Sequence, residues 1–328
     1  MAHAYDERLL PPLRAAREFL EAEADLPPGV CQLVLGYAIR SFLYAVGGFD
    51  HNGTFHASAE KYDADQNKWT AVAAMNIMRC GLDVAVWNGA LYAVGGCNGL
   101  DGNNILKSVE KYDHVLDKWM PMAAMDAKRS EYGLTVLDGA LYAVGGYDEH
   151  ENTIDSVERY DVALDKWTPV ASMSIKRNGH GVAGLDGALY AVGGLDESGN
   201  VIALVEKYDP TLDKWTAVAA MGTKRTYFSV AVLDGALYAA GGVEARKNHL
   251  SSVEKYDPAT NTWLAVTSMG TKRYGHGVAV LDGFLYVVGG CDKHDNATAL
   301  VERYDPTLDE WKMVATMGTK RYGHGVAS

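Results

Sequence analysis

The stretch MGTKRYGHGVAVLDGFLYVVGG, Met269 to Gly290, decides the fold. YGHGVAVL and FLYVVGG are runs rich in β-branched and aromatic residues, and the Asp282-Gly283 pair between them is the signature of a tight hairpin. Two further strand-length runs follow, LVERYD from Leu300 to Asp305 and WKMVATM from Trp311 to Met317, each set off by turn residues. Together they read as one four-stranded antiparallel meander.

Working outward, the same unit recurs. Gly-Gly doublets begin at Gly47, Gly95, Gly145, Gly193, Gly241 and Gly289, at intervals of 48, 50, 48, 48 and 48 residues. A tyrosine follows each doublet, at Tyr62, Tyr112, Tyr160, Tyr208, Tyr256 and Tyr304, and a tryptophan stands seven residues after every one, from Trp69 to Trp311. Six residues further comes a Met and four after that an Arg: Arg79, Arg129, Arg177, Arg225, Arg273 and Arg321. A period of this length with four strands per unit predicts an all-β fold, a six-bladed β-propeller over residues 41–328. The array begins on a second strand, SFLYAVGG from Ser41, and ends on a first strand, RYGHGVAS from Arg321, so the C-terminal strand is expected to complete the first blade and close the ring. Residues 1–40 read as an extension, with a short helix over Pro11 to Ala24 and an LPPG linker from Leu26 to Gly29.

Bulk properties narrow the function. A formal charge of -12 without an extended Lys/Arg block argues against nucleic acid as partner, because affinity for a phosphate backbone rests on clustered cations. No apolar run reaches the roughly 20 residues needed to span a bilayer, and the start, MAHAYDERLL, lacks the apolar core of a secretory signal. A cytoplasmic location without membrane contact is the expectation. Cys31, Cys80, Cys97 and Cys291 have neither the density of a disulfide scaffold nor metal-ligand spacing, and read as free thiols.

LYAVGG, then VEKYD, then Trp, then MGTKR resembles the kelch repeat, and the resemblance covers Leu43 to Ser328. The six-unit form with a Met-x-x-x-Arg turn is most similar to the C-terminal kelch domain of the BTB-kelch, or Kelch-like, proteins. The resemblance implies a substrate receptor of a cullin-based ubiquitin ligase. Nothing like a BTB domain is legible in these residues, so ligase components are expected to be reached only through regions beyond this sequence.

In a meander the loop after the doublet and the loop carrying Met-x-x-x-Arg share one face. The hairpin and the Tyr-to-Trp turn share the other, and their lengths never vary among the units. The post-doublet loops differ freely, as in FDHNGTFHAS, YDEHENTID and CDKHDNATA, and rigid scaffolds place binding residues on such loops. Candidate partner-binding residues are therefore Phe49, His51, Cys97, Tyr147, Glu149, Leu195, Glu197, Arg246 and Lys293 in these loops. Cys80, Ser130, Asn178, Thr226, Tyr274 and Tyr322 directly follow the arginines, and Tyr132, His180, Phe228, His276 and His324 stand two positions further on. The set mixes aromatic anchors with adaptable polar groups, a composition suited to peptide or protein recognition. In the Kelch-like family the ligand peptide sits on this face, gripped by arginines of the post-doublet loops. Here only Arg246 offers one, while Asp148, Glu149, Glu151, Asp196 and Glu197 favour a basic or mixed partner.

The six arginines themselves read as architecture rather than as a cationic ring, since every unit carries one. His180, His276 and His324 sit at equivalent positions in different blades, too far around the ring to converge on a metal. Cys80 and Cys97 should share a face of the second blade, which leaves a redox role open beside that of plain thiols. The chain is expected to bind a protein or peptide without a cofactor, not to be an enzyme; the alternatives are a cytoskeletal binder and a kelch-type enzyme. A carboxylic acid at the channel mouth with a strongly shifted pKa would favour the last.

Overall fold

The computed structural model describes residues 42–99, 104–161, 163–245 and 248–328; the expected N-terminal helix and linker, and Arg246, lie outside the described residues. The strands form six four-stranded antiparallel sheets, the blades I to VI of a propeller, with strands in chain order from the axis outward in blades II to VI. Blade VI is built from Gly277–Leu281, Phe284–Val288, Val301–Asp305 and Glu310–Met313. Its first two strands meet at Leu281 opposite Phe284, across a turn whose Asp282 and Gly283 hold φ of 51° and 77°. Two consecutive left-handed residues are what a hairpin of matching twist requires.

Closure falls where the termini of the array predict it. Gly325–Ala327 is the innermost strand of blade I and pairs with Phe42–Val46, placing Tyr44 opposite Ala327 and Val46 opposite Gly325. The long loop of blade II contains a small pairing the sequence did not suggest, Cys97–Asn98 with Asn104–Ile105.

Blades crowd at the axis and splay outward, and side-chain size follows that geometry. A Cβ on Gly181 of the blade IV inner strand would lie 2.3 Å from Val230 of blade V, so only glycine fits there. At the rim the wedges are filled by the repeated rings. Tyr112 packs on Trp119 with centroids 5.2 Å apart and on Tyr44 of blade I at 6.1 Å. The Trp119 indole N–H then donates to the Ala73 carbonyl at 2.8 Å, the Tyr112 hydroxyl donates to Asp117, and that carboxylate accepts the Ala73 N–H. One turn thus stitches blade II to the end of blade I, which is why the Tyr-to-Trp spacing is fixed.

The six arginines are the second stitch. Each is at most 1% exposed. Arg79, on the chain passing from blade I to blade II, donates to the Gly95 and Ser108 carbonyls and to Glu110, all of blade II, at 2.8–2.9 Å. Glu110 also accepts the backbone N–H groups of Asn76 and Ile77. The same Arg–Glu pairing recurs between Arg129 and Glu158, Arg177 and Glu206, Arg225 and Glu254, Arg273 and Glu302, and Arg321 and Glu60. The architectural reading of the arginines is correct, and the glutamate of the third strand of each blade supplies the counter-charge.

Candidate partner-binding face and axial channel

The residue after each Arg pairs with the residue after each doublet in a single antiparallel bridge: Cys80 with Cys97, Ser130 with Tyr147, Asn178 with Leu195, Thr226 with Val243, Tyr274 with Cys291, and Tyr322 with Phe49. Both loop sets therefore lie on one face. The bridge demands a close backbone approach. Gly194 holds φ of 97°, and a Cβ there would lie 2.6 Å from the Asn178 carbonyl oxygen.

One residue beyond each bridge, the backbone turns left-handed at Gly81, Glu131, Gly179, Tyr227, Gly275 and Gly323, with φ from 51° to 60°. Each N–H here donates to the carbonyl of its counterpart in the preceding blade, at 2.7–2.9 Å, and the last bond returns to the first. Six backbone hydrogen bonds thus form a closed ring about the axis. Along the axis runs a cavity of about 590 Å³, walled by inner-strand residues such as Val84, Val136, Val232 and Val280.

Two acids line this channel. Glu131 stands in the ring itself, with Tyr227 hydrogen-bonded to its carboxyl, and burial raises its pKa to about 7. One of its carboxyl oxygens, Oε2, is buried without a partner. Asp83, on the inner strand of blade II, accepts the N–H groups of Val84 and Leu134, yet burial outweighs both bonds and raises its pKa to about 7 as well. Sequence reasoning missed both. The signal was available by comparing units: four of them carry Gly where Glu131 and Tyr227 stand, and Gly133, Gly181, Gly277 and Gly325 occupy the register of Asp83.

A family model described as the KLHDC2/KLHL20/DRC7 Kelch-repeats domain matches residues 131–328, more than half of the chain, and the Kelch motif matches residues 43–76 and 78–126. The chain belongs to the kelch-repeat family. Among solved structures, one titled "Structure of YjhT" superposes with a TM-score of 0.68 at 16% identity, covering 83% of this chain and 97% of that one, a likeness of fold.

On this kelch propeller the candidate residues divide by burial. His51, Glu149, Glu197 and Lys293 are exposed at loop tips, and Phe49, Cys80, Tyr147, Leu195, Tyr274 and Tyr322 are half-buried. Ser130, Asn178, Thr226 and Cys97 are buried within the bridges; Asn178 donates to Thr153, and Thr226 to the Gly179 carbonyl. Tyr132, His180, Phe228, His276 and His324 are no more than 5% exposed, which corrects the expectation that they meet a partner. The left-handed residue before each one turns its side chain under the preceding blade's doublet. There the Tyr132 hydroxyl donates to the Val94 carbonyl at 2.7 Å, and His276 Nε2 lies 3.0 Å from that of Ala240. His180 and His324 face the carbonyls of Val144 and Val288 without closing a bond of standard geometry.

The acids of the loops are also partly committed. Asp148 and Asp196 each accept two backbone N–H groups of their own loop and so shape it. Glu149 pairs with Lys128 at 2.7 Å and Glu197 with Lys176 at 2.9 Å, so the lysines before two of the arginines balance the loop tips. Among the described residues no group of three or more His, Cys, Asp or Glu is placed to hold a metal ion.

The buried histidines set a pH response. Burial, then the neighbouring Arg of the same blade, holds His180 and His324 well below 6.5 and His276 at about 3. A group with a depressed folded pKa takes up its proton first in the unfolded chain. These three therefore stabilise the fold above about 6.5 and lose that contribution as pH falls. Asp83 and Glu131 act oppositely, since their raised pKa values favour the folded state as pH falls from 7 toward the ordinary carboxyl range. Replacing all three histidines by Phe, the residue blade V carries at Phe228, should therefore remove most of the acid-side loss, leaving the share of His56, which burial also holds below 6.5. Thermal melts should show the variant more stable at pH 5 than at pH 7, with the wild type lacking that gain.

Proposed function

We propose that this kelch propeller is a protein-interaction module that captures a peptide or a loop of a partner on the face formed by the post-doublet and Arg-bearing loops, as a Kelch-like substrate adaptor would. The observation that carries the reading is the contrast between faces. The hairpins and Tyr-to-Trp turns repeat one solution around the ring, while the opposite face presents His51, Glu149, Glu197 and Lys293 at corresponding loop tips around half-buried Tyr147, Tyr274 and Tyr322. Because Glu149 and Glu197 each hold a lysine, the rim suits a partner of mixed charge rather than a strongly basic one.

The test uses exposed tips alone, so that the fold is untouched. A variant carrying His51→Ala, Glu149→Lys, Glu197→Lys and Lys293→Glu should keep the wild-type melting temperature and lose the partners recovered with the wild-type chain in affinity purification. Recovery of the same partners by both would place binding elsewhere. A second reading, small-molecule chemistry in the channel, is favoured by Glu131 and Asp83, two acids raised to about 7 beside the axial cavity. It predicts saturable binding of a small ligand that Glu131→Gln abolishes and the rim variant leaves intact.

A further inference from the structure

Blade II differs from the other blades in its bridge. Its two positions are both cysteine, where the other five bridges hold at most one. Cys80 and Cys97 exchange both backbone hydrogen bonds, at 3.0 and 2.8 Å, so they face each other directly. Their Sγ atoms lie 3.4 Å apart. Directly opposed residues of a hydrogen-bonded antiparallel pair have Cα atoms about 5.5 Å apart. That separation falls within the roughly 4.4–6.8 Å that a disulfide spans. Bond formation then needs the sulfurs to close by about 1.4 Å, a side-chain movement rather than a rearrangement of strands.

We propose that Cys80 and Cys97 form a dithiol site that reduces hydroperoxides and is itself converted to a disulfide. Both residues line the axial cavity, which gives a small oxidant a route to sulfurs that are otherwise largely covered. The two thiols are not equivalent. The two thiols share one hydrogen bond, and Ser130 adds a second to Cys97, which favours the thiolate there against the opposing effect of burial. Cys97 is therefore assigned as the attacking thiolate and Cys80 as the resolving thiol.

In the first step the Cys97 thiolate attacks one peroxide oxygen and the O–O bond breaks. Cys97 becomes a sulfenic acid, and the departing hydroxide or alkoxide takes a proton. In the second, Cys80 gives up its proton and attacks the sulfenic sulfur; the S–O bond breaks, water leaves and the S–S bond forms. Two thiols lose two electrons, and one hydrogen peroxide becomes two waters.

The experiment treats the full chain with stoichiometric hydrogen peroxide. Free thiols should fall from four to two, the intact mass should drop by two hydrogens, peptide mapping should join Cys80 to Cys97, and dithiothreitol should reverse the change. With Cys80→Ser, a dimedone adduct should accumulate on Cys97, whereas Cys97→Ser should leave Cys80 unlabelled. On the untreated wild-type chain, phenylarsine oxide should bridge the same pair and block peroxide oxidation, a check that needs no substitution. A Cys31 or Cys291 product formed ahead of the Cys80–Cys97 bond, or failure of the arsenical to protect the pair, would overturn the proposal.

Discussion

Arg177→Met should destabilise the propeller by about 3–5 kcal/mol, measured by equilibrium denaturation. The guanidinium is fully buried and donates to the Gly193 and Leu204 carbonyls, both at 3.0 Å, and to Glu206 at 2.8 Å. Methionine matches its length but supplies no donor. Two carbonyls lose a bond, and a buried carboxylate loses its cation while still holding the Ser174 N–H and hydroxyl. Unpaired buried charge, rather than lost attraction, dominates such losses. Adding Glu206→Gln should therefore return a substantial part of the stability, and a double-mutant cycle measures how much. Arg177→Lys should rescue poorly, because one ammonium cannot reproduce a planar fork aimed at three acceptors. Equal losses in the single and double variants would show that the carboxylate is not the partner that matters.

Removing residues 322–328 should have the largest effect, abolishing the cooperatively folded monomer. It takes away the inner strand of blade I with its pairing to Phe42–Val46, the bridge from Tyr322 to Phe49, and the Gly323 link of the axial ring. The Phe42–Val46 strand, otherwise buried, then becomes an exposed apolar edge, which is a template for association. Light scattering and size exclusion should show oligomers in place of monomer. A circular permutant that carries residues 318–328 ahead of residue 41 through a short Gly/Ser linker should recover a single cooperative transition, since every strand of blade I is then present. If the truncated chain unfolds as sharply as the intact one, closure is not what holds the ring.

The blade count, the strand order and the closing strand were all legible before any coordinates, because each rests on a marker repeated in register. Paired Arg and Glu were half legible: the arginines announced themselves as structural, but their acceptors stand some 30 positions away and only folding brings them together. The inner-strand positions were misread. His180 and Tyr132 each follow a left-handed residue and pack against the preceding blade's doublet, no more than 5% exposed, a burial that their side chains do not announce. Positive φ at Glu131 and Tyr227 is hidden by their own residue types and shows only in the glycines at the same place in the other four units. Ion pairs between loop tips, such as Lys128 with Glu149, depend on how each Asp-capped loop folds back, which composition does not encode.

The axial ring has an electrical consequence. Its six N–H to carbonyl bonds run head to tail in one rotational sense and close on themselves. Dipoles laid along a closed polygon sum to nearly nothing, unlike those of a helix, whose ends carry partial charge. The ring itself therefore imposes almost no polarity on the axis it surrounds. The potential inside is left to the side chains, chiefly Glu131 and Asp83, whose pKa values burial raises to about 7. A scaffold that is electrically silent at its centre lets one or two substitutions set the sign of the field there, without any change in the blades.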